Sequence, residues 1–302
     1  MTSTKLSLLE TYKKNLYFLL EGGNALEKVN SVVPLSALHP TIQGAFASIG
    51  LQGVEYDIVG NASKPFLGDI DTSVSLEDIS KAYGITSIES SDDFWKELNY
   101  KLSSFGVDYT INKGFSQFHV LANVVDESGK ALDAVTADGQ ITQGTPGQVQ
   151  IDIFVGNKEW MKNILSGSPK ESTYKAVYRN LLLVAIVSNI PSTEADSKYT
   201  MNFRDGLKVI KYKRLASGKT KNLESKVIIT KADDLAEWLF GISWSEINSF
   251  EKLWNELMSP TFDYSESIPK ILTDYRTMLV GAGKEVPQEL VTALEQTHNT
   301  NG

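Results

Sequence analysis

The amino-acid sequence predicts an α+β fold in two parts, and three observations predict it. Strand-like, period-two segments concentrate between Val107 and Val155. Apolar residues at three- and four-residue spacing flank that region on both sides. From Lys231 onward the pattern is helical alone. The expected division is an α+β domain over residues 1–165, with helices at its N-terminal end, and a mainly helical domain over 166–302 carrying an inserted β-hairpin.

Taken in order, Leu6, Leu9, Tyr12, Leu16 and Leu19 place one apolar stripe on a first helix, which Gly22-Gly23 stops. Ile42, Ala45, Phe46 and Ile49 mark a second helix over 41–49, and Val54–Val59 reads as a strand. If residues 67–74 are extended, Asp69 and Asp71 project from one face. Leu76 opens a helix or turn, and Ser90-Ser-Asp-Asp supplies N-cap chemistry for a helix reaching Ser103. Strands follow at 107–111, 115–125, 131–135 and 148–155, separated by glycine-containing turns. Trp160–Leu165 is a short helix and Ser172–Ser188 a long one, with a polar linker after it. Leu207–Leu215 and Ser225–Ile229 form the hairpin around the turn at 216–222. Helices over 231–240, 243–258, 267–280 and 287–296 close the chain.

Composition narrows the chemistry. The 302 residues are 41% hydrophobic and 22% charged, as in ordinary globular proteins, and their length can bury a sizeable core. A net charge of −8 argues against a nucleic acid coating the whole surface, although a local basic patch is compatible with it. There is no cysteine, which excludes disulfides, thiolate catalysis and cysteine zinc sites, and the 3 histidines make a histidine-rich zinc site improbable. The longest apolar run, Leu181–Val187, is far shorter than the roughly 20 residues of a membrane span. With no secretory pattern at residues 1–14, the chain is expected to be soluble and cytoplasmic.

What remains is carboxylate, hydroxyl, lysine and arginine chemistry. Asp69 and Asp71 repel one another unless a cation lies between them, and Asp152 sits between Ile151 and Ile153 in an apolar strand that would not bury a carboxylate without a partner. If the two strands are neighbours, the three acids make an oxygen-donor site suited to Mg²⁺ or Mn²⁺, which act on phosphates by bridging their oxygens. Beside them Gly60, Asn61, Ser63 and Lys64 offer backbone N–H groups, a hydroxyl and a cation, the groups that hold phosphate.

An apolar strand, a Gly-Asn turn, Asp-x-Asp and later an isolated Asp in an apolar strand resemble the DNA polymerase β-like nucleotidyltransferase superfamily. The segments Tyr-Asp-Ile-Val-Gly-Asn-Ala-Ser-Lys-Pro-Phe-Leu-Gly-Asp-Ile-Asp, ending at Asp71, and Ser-Thr-Tyr-Lys-Ala-Val-Tyr-Arg-Asn, starting at Ser172, are similar to nucleotidyltransferases of tailed bacteriophages. The resemblance spans roughly residues 22–242. It implies a mixed β-sheet of the nucleotidyltransferase type with flanking helices, and transfer of a nucleoside monophosphate from a nucleoside triphosphate to an acceptor hydroxyl. It implies further that Asp69 and Asp71 ligate both metals and that Asp152 holds the metal beside the acceptor hydroxyl and helps to deprotonate it. Gly60 and Ser63 would border the triphosphate, and Lys175 and Arg179, on one helix face, would approach the triphosphate or the acceptor. The turn reads Gly-Asn-Ala-Ser where Gly-Ser or Gly-Gly is usual, and the long interval before Asp152 implies an inserted helix and hairpin. A phage origin would put the protein in the host cytoplasm.

Blander readings stand beside these. An Asp-x-Asp pair can simply cap a loop, and Lys175 and Arg179 can be a solvated helix face. His119 reads as a packed or edge histidine rather than a base. Lys208, Lys211, Lys213, Arg214, Lys219 and Lys221 form a basic hairpin (208–221) around Tyr212 that admits a nucleic-acid contact such as an RNA end. Lysines that keep exposed sheet edges from aggregating explain the same residues, and that reading is preferred. The acceptor is left open between an RNA end, a protein hydroxyl and a small molecule. A nucleotidyltransferase-like fold serving only to bind a nucleotide or a protein, in a phage or its host-directed machinery, and a metal-dependent nuclease are the alternatives.

Overall fold

A computed structural model describes residues 25–60, 65–85, 91–113, 116–215 and 220–299. The expected first helix, with Asn61, Ser63, Lys64 and Lys219, lies outside the described residues. The protein is mixed α+β and has two compact units, within Gly22–Ser166 and within Gly167–Gly302.

In the first unit the elements are β1 (Val33–Pro34), α1 (Leu38–Ser48), β2 (Asp57–Ile58), β3 (Phe66–Leu67), β4 (Asp69–Ser75), α2 (Leu76–Tyr83), α3 (Ser91–Ser103), β5 (Tyr109–Asn112), β6 (Gln117–Asn123), β7 (Asp133–Val135), β8 (Ile141–Pro146), β9 (Gln148–Gly156) and α4 (Lys158–Ile164). Five strands form a mixed sheet in the order β2-β4-β9-β6-β5, in which only the central pair, β4 and β9, is parallel. Alternation sends Ile70 and Val74 of β4, Ile151, Ile153 and Val155 of β9, and Phe118, Val120 and Ala122 of β6 to one face. There they share a buried cluster with Ile42 and Phe46 of α1, Ile79 of α2 and Trp95 and Leu98 of α3. Burying each such large aliphatic side chain contributes roughly 1.5–3 kcal/mol, so the register of β4 against β9 is set by this face.

Local sequence sharpens the ends of the central strands. Ser75 stops β4 by accepting the Asp78 N–H at 2.9 Å, and Gly84 closes α2 in the left-handed region at φ 65°. Asn157 stops β9 by accepting the Trp160 N–H at 3.0 Å. The strand expected over 54–59 reduces to Asp57–Ile58, and β8, which the sequence did not predict, pairs with β7. All six residues of β8 are exposed, so it carries no buried alternation to recognise.

The second unit contains α5 (Ala176–Asn189), β10 (Ser197–Asn202), β11 (Gly206–Arg214), β12 (Thr220–Ile229), α6 (Ala232–Phe240), α7 (Phe250–Leu257), α8 (Ile268–Gly281) and α9 (Gln288–Asn299). The expected hairpin is present with β10 added as a third antiparallel strand, which begins at the end of the expected polar linker (191–198) and runs past it. The helix expected from Ser172 starts at Ala176 instead. Glu251 of α7 accepts the Ser172 hydroxyl at 2.8 Å and the Thr173 N–H at 2.7 Å, which holds that stretch outside the helix. Expected helix 243–258 divides because two serines cap in succession. Ser243 makes a capping box with Glu246, and Ser249 then accepts the Lys252 N–H to open α7.

Candidate functional site

The sheet face opposite the apolar cluster is polar. Strand β4 turns Asp69, Asp71 and Ser73 to it, β9 turns Gln150 and Asp152, and β6 turns Gln117 and His119. Pairing brings them into rows: Asp71 lies across from Asp152 in the parallel pair, Asp69 from Gln150, and His119 from Asp152 in the antiparallel pair. Acids some eighty positions apart in sequence thus meet at one level of the sheet. The Thr72 hydroxyl, buried on the opposite face, donates to the Asp152 carbonyl at 3.0 Å and ties the two strands there.

One carboxylate oxygen from each of Asp69, Asp71 and Asp152 lies within 4.8 Å of the others. Oxygens on opposite sides of one Mg²⁺ are about 4.2 Å apart, so a small side-chain rotation brings these onto a single ion. An all-oxygen, all-acidic donor set fits a hard divalent cation and not zinc. Electrostatics agrees with the fit. Burial, then the neighbouring Asp152, then Asp69 hold the half-buried Asp71 carboxyl well above the ordinary carboxylate range, a strain that a cation between the acids relieves. Ser73, next along β4 on the same face, buries a hydroxyl that has no hydrogen-bond partner among the described residues.

Gly60 stands directly against this cluster. Its φ of 73° is in the left-handed region, and a Cβ there would run into the Asp71 carboxylate. The neighbouring Val59 N–H donates to the Asp71 carbonyl at 2.9 Å and the Gly60 N–H to the Leu165 carbonyl at 3.0 Å. The chain is therefore pinned beside the acids at Val59 and Gly60. The Gly60 amide itself is already committed to protein, so Gly60 can border a phosphate by its position but not by donating that hydrogen bond.

The two cations expected from the helix differ from the reading that put them on one face. Lys175 is not helical: it is the extended residue before Ala176, and it is exposed. Arg179 is fully buried inside the second unit. Its Nη1 donates to the Asn248 carbonyl at 2.7 Å, its Nε to Asn180 Oδ1 at 3.0 Å, and its guanidinium sits 5.1 Å from the centre of the Trp244 ring. Burial lowers its pKa to about 9, so it remains charged at neutral pH, but as an interior cation bound to neutral acceptors. Arg179 is thus held by protein partners within its own unit.

The basic hairpin is partly neutralised. Lys208 bonds Asp205 at 2.7 Å and Lys211, itself exposed, bonds Glu194 at 3.0 Å; outside these pairs Lys213, Arg214 and Lys221 are exposed, with Lys213 and Lys221 facing each other across the strands.

Sequence reasoning read His119 only as a packed or edge histidine and passed over Gln117 and Gln150, although all three stand around Asp152. His119 Nδ1 lies 2.7 Å from Asp152 Oδ1, and Gln150 Nε2 donates to the same oxygen at 2.7 Å. Gln117 Nε2 lies 3.1 Å from the other imidazole nitrogen, and the Leu26 N–H donates to Gln150 Oε1 at 3.1 Å. The signal was present as polar residues alternating with Phe118, Val120, Val149 and Ile151, a pattern that places amides and an imidazole beside Asp152 once the strands pair.

No model of a known protein family matches the chain, and no curated protein matches it. Inference about function therefore rests on the residues and their geometry. Among the described residues, no helix is long and apolar enough to cross a membrane.

Proposed function

We propose that this protein is a divalent-metal-dependent nucleotidyltransferase, its first unit having a nucleotidyltransferase-type sheet. The observation that carries the reading is the convergence of Asp69, Asp71 and Asp152 on one sheet face through the parallel Asp71–Asp152 pair. Mg²⁺ or Mn²⁺ in that cluster would polarise the phosphate of a nucleoside triphosphate and favour the alkoxide form of an acceptor hydroxyl. Asp69 and Asp71, two residues apart on β4, hold the triphosphate side of the site, and Asp152 holds the acceptor side. The acceptor oxygen bonds to the α-phosphorus in line, the α–β anhydride bond breaks, pyrophosphate leaves and the hydroxyl proton passes to water. The acids do no covalent chemistry; their work is to position and to balance charge. An RNA end, a protein hydroxyl and a small molecule remain the acceptor classes, with host cytoplasm as the compartment if the chain is phage-encoded.

The second reading, a nucleotide- or protein-binding component without turnover, draws on one observation. Two groups expected to hold the triphosphate, the Gly60 N–H and Arg179, are both engaged with protein. Mass spectrometry of a lysate incubated with labelled triphosphates, Mn²⁺ and the protein separates the two. Labelled acceptor and pyrophosphate that disappear in Asp69→Asn, Asp71→Asn and Asp152→Asn support transfer. Triphosphate binding with no product in any acceptor fraction supports the second reading, and strand cleavage without transfer overturns both.

A further inference from the structure

The acid cluster is asymmetric in a way that its three carboxylates alone do not explain. Asp152 is 4% exposed, and the polar side chains behind it are as deep: Gln150 0%, His119 3% and Gln117 5%. Both donors that reach Asp152 from these residues fall on the same oxygen, Oδ1, each at 2.7 Å. A carboxylate oxygen has about two acceptor positions, so Oδ1 is filled. Among the described residues, neither donor is placed on Oδ2.

The donors are themselves oriented. Gln150 cannot turn its amide over without losing the Leu26 N–H, which holds Oε1 and so leaves Nε2 to Asp152. Gln117 presents Nε2 to His119 Nε2, which accepts in the neutral Nδ1–H tautomer and leaves Nδ1–H to donate to Asp152. Leu26 thus fixes the direction of Gln150, and the row ends on one oxygen of the one acid that lies in register with Asp71.

We infer that His119 and Gln150 are positioning residues that clamp Asp152 Oδ1, turning Oδ2 alone toward the cation and making Asp152 a single-oxygen ligand. The inference rests on the cation reading given above. Its chemistry is that of the hydrogen-bonded partners which orient metal ligands elsewhere: the clamp removes the carboxylate's rotation and denies it bidentate binding. With Oδ1 filled, Asp152 also has no second oxygen with which to accept the acceptor's proton.

The test is Mn²⁺ affinity, measured by isothermal titration on the full chain, with the urea unfolding midpoint measured beside it. His119→Asn keeps an N–H near the Nδ1 position, and its Mn²⁺ affinity is expected to stay within about threefold of wild type; His119→Gln, which reaches toward the Nε2 position, His119→Ala and Gln150→Ala are expected to lose about 10- to 100-fold. A purely structural row would lower the unfolding midpoint in all four and leave Mn²⁺ affinity unchanged, which overturns the inference. Equal losses in His119→Asn and His119→Gln overturn it as well, because the Nδ1 geometry would then not matter. Asp69→Asn separates the two levels. If it abolishes Mn²⁺ binding while the four clamp variants bind as wild type does, this inference alone fails. If wild type binds no Mn²⁺, the cation reading fails and takes the clamp with it. Should His119→Ala not fold, Asn against Gln at the same position carries the decision.

Discussion

Each unit of this protein buries an ionisable side chain that water barely reaches, Asp152 in the sheet unit and Arg179 in the helical one. Arg179 is surrounded by what a cation wants: a carbonyl, an amide oxygen and the face of Trp244. Among the described residues the His119 and Gln150 donors both reach Asp152 Oδ1, and across the parallel pair lies another acid, Asp71, with Asp69 beside it. Burial of charge is common to both. The difference is that Arg179's surroundings complement its charge, whereas the carboxyl of Asp71 lies close to two further carboxylates. Crowding of like charge is the arrangement that a bound cation would balance, whereas Arg179's charge is already met by its neighbours.

Breaking the comparison on the structural side gives the largest expected effect. Arg179→Met removes charged hydrogen bonds and the ring contact and strands the Asn248 carbonyl, and we expect a loss of about 3 kcal/mol in urea unfolding. Mn²⁺ affinity per folded molecule is expected to stay as in wild type, and a parallel loss would place Arg179 in the site.

Gly60→Ala tests the other side. The left-handed backbone and the collision with the Asp71 carboxylate together should cost about 2 kcal/mol of stability. Because the displaced group is Asp71, Mn²⁺ binding should weaken in the same variant. Stability lost with affinity intact would mean that Asp71 can move aside without consequence.

A pH series sharpens the claim of crowding. Asp71 titrates above its unfolded value, so between about pH 4 and its raised pKa the folded protein binds more protons than the unfolded chain. The stability of the metal-free protein from this group is therefore full below about pH 4 and falls as pH rises through that window. Asp71→Asn is expected to flatten the fall, and saturating Mn²⁺ to reverse it. Chemical unfolding at successive pH values reads both, and a metal-free protein whose stability rises across the window with no change in Asp71→Asn would contradict it.

The smallest effect belongs to the hairpin. Lys213→Glu with Lys221→Glu should shift stability by no more than about 0.5 kcal/mol, since the side chains are exposed. If the hairpin meets RNA, the same pair would flatten the salt dependence of RNA binding in a filter assay; an unchanged slope leaves the lysines to edge protection.

The central strands were legible in the sequence because hydrophobic alternation is strong where one sheet face packs against helices. Ile70, Ile151 and Ile153 also made Asp152 conspicuous. The clamp was not legible, because β6 is buried on both faces over Gln117–Val120, and His119 acquires its partner only through pairing with a strand thirty residues away. Arg179 misled for a related reason. Its spacing from Lys175 suggested one helix face, but Leu181–Val187 is buried on every side, so no face of that segment is a solvated one. Lys175 fell outside the helix because Glu251, distant in sequence, captures the donors that precede it.

The central claim, that Asp69, Asp71 and Asp152 hold a divalent cation, is tested most directly by titrating Mn²⁺ and following the free ion by electron paramagnetic resonance. The account predicts saturable binding to wild type that is lost in folded Asp71→Asn and Asp152→Asn. Equal binding by all three proteins, or none by wild type, would contradict it.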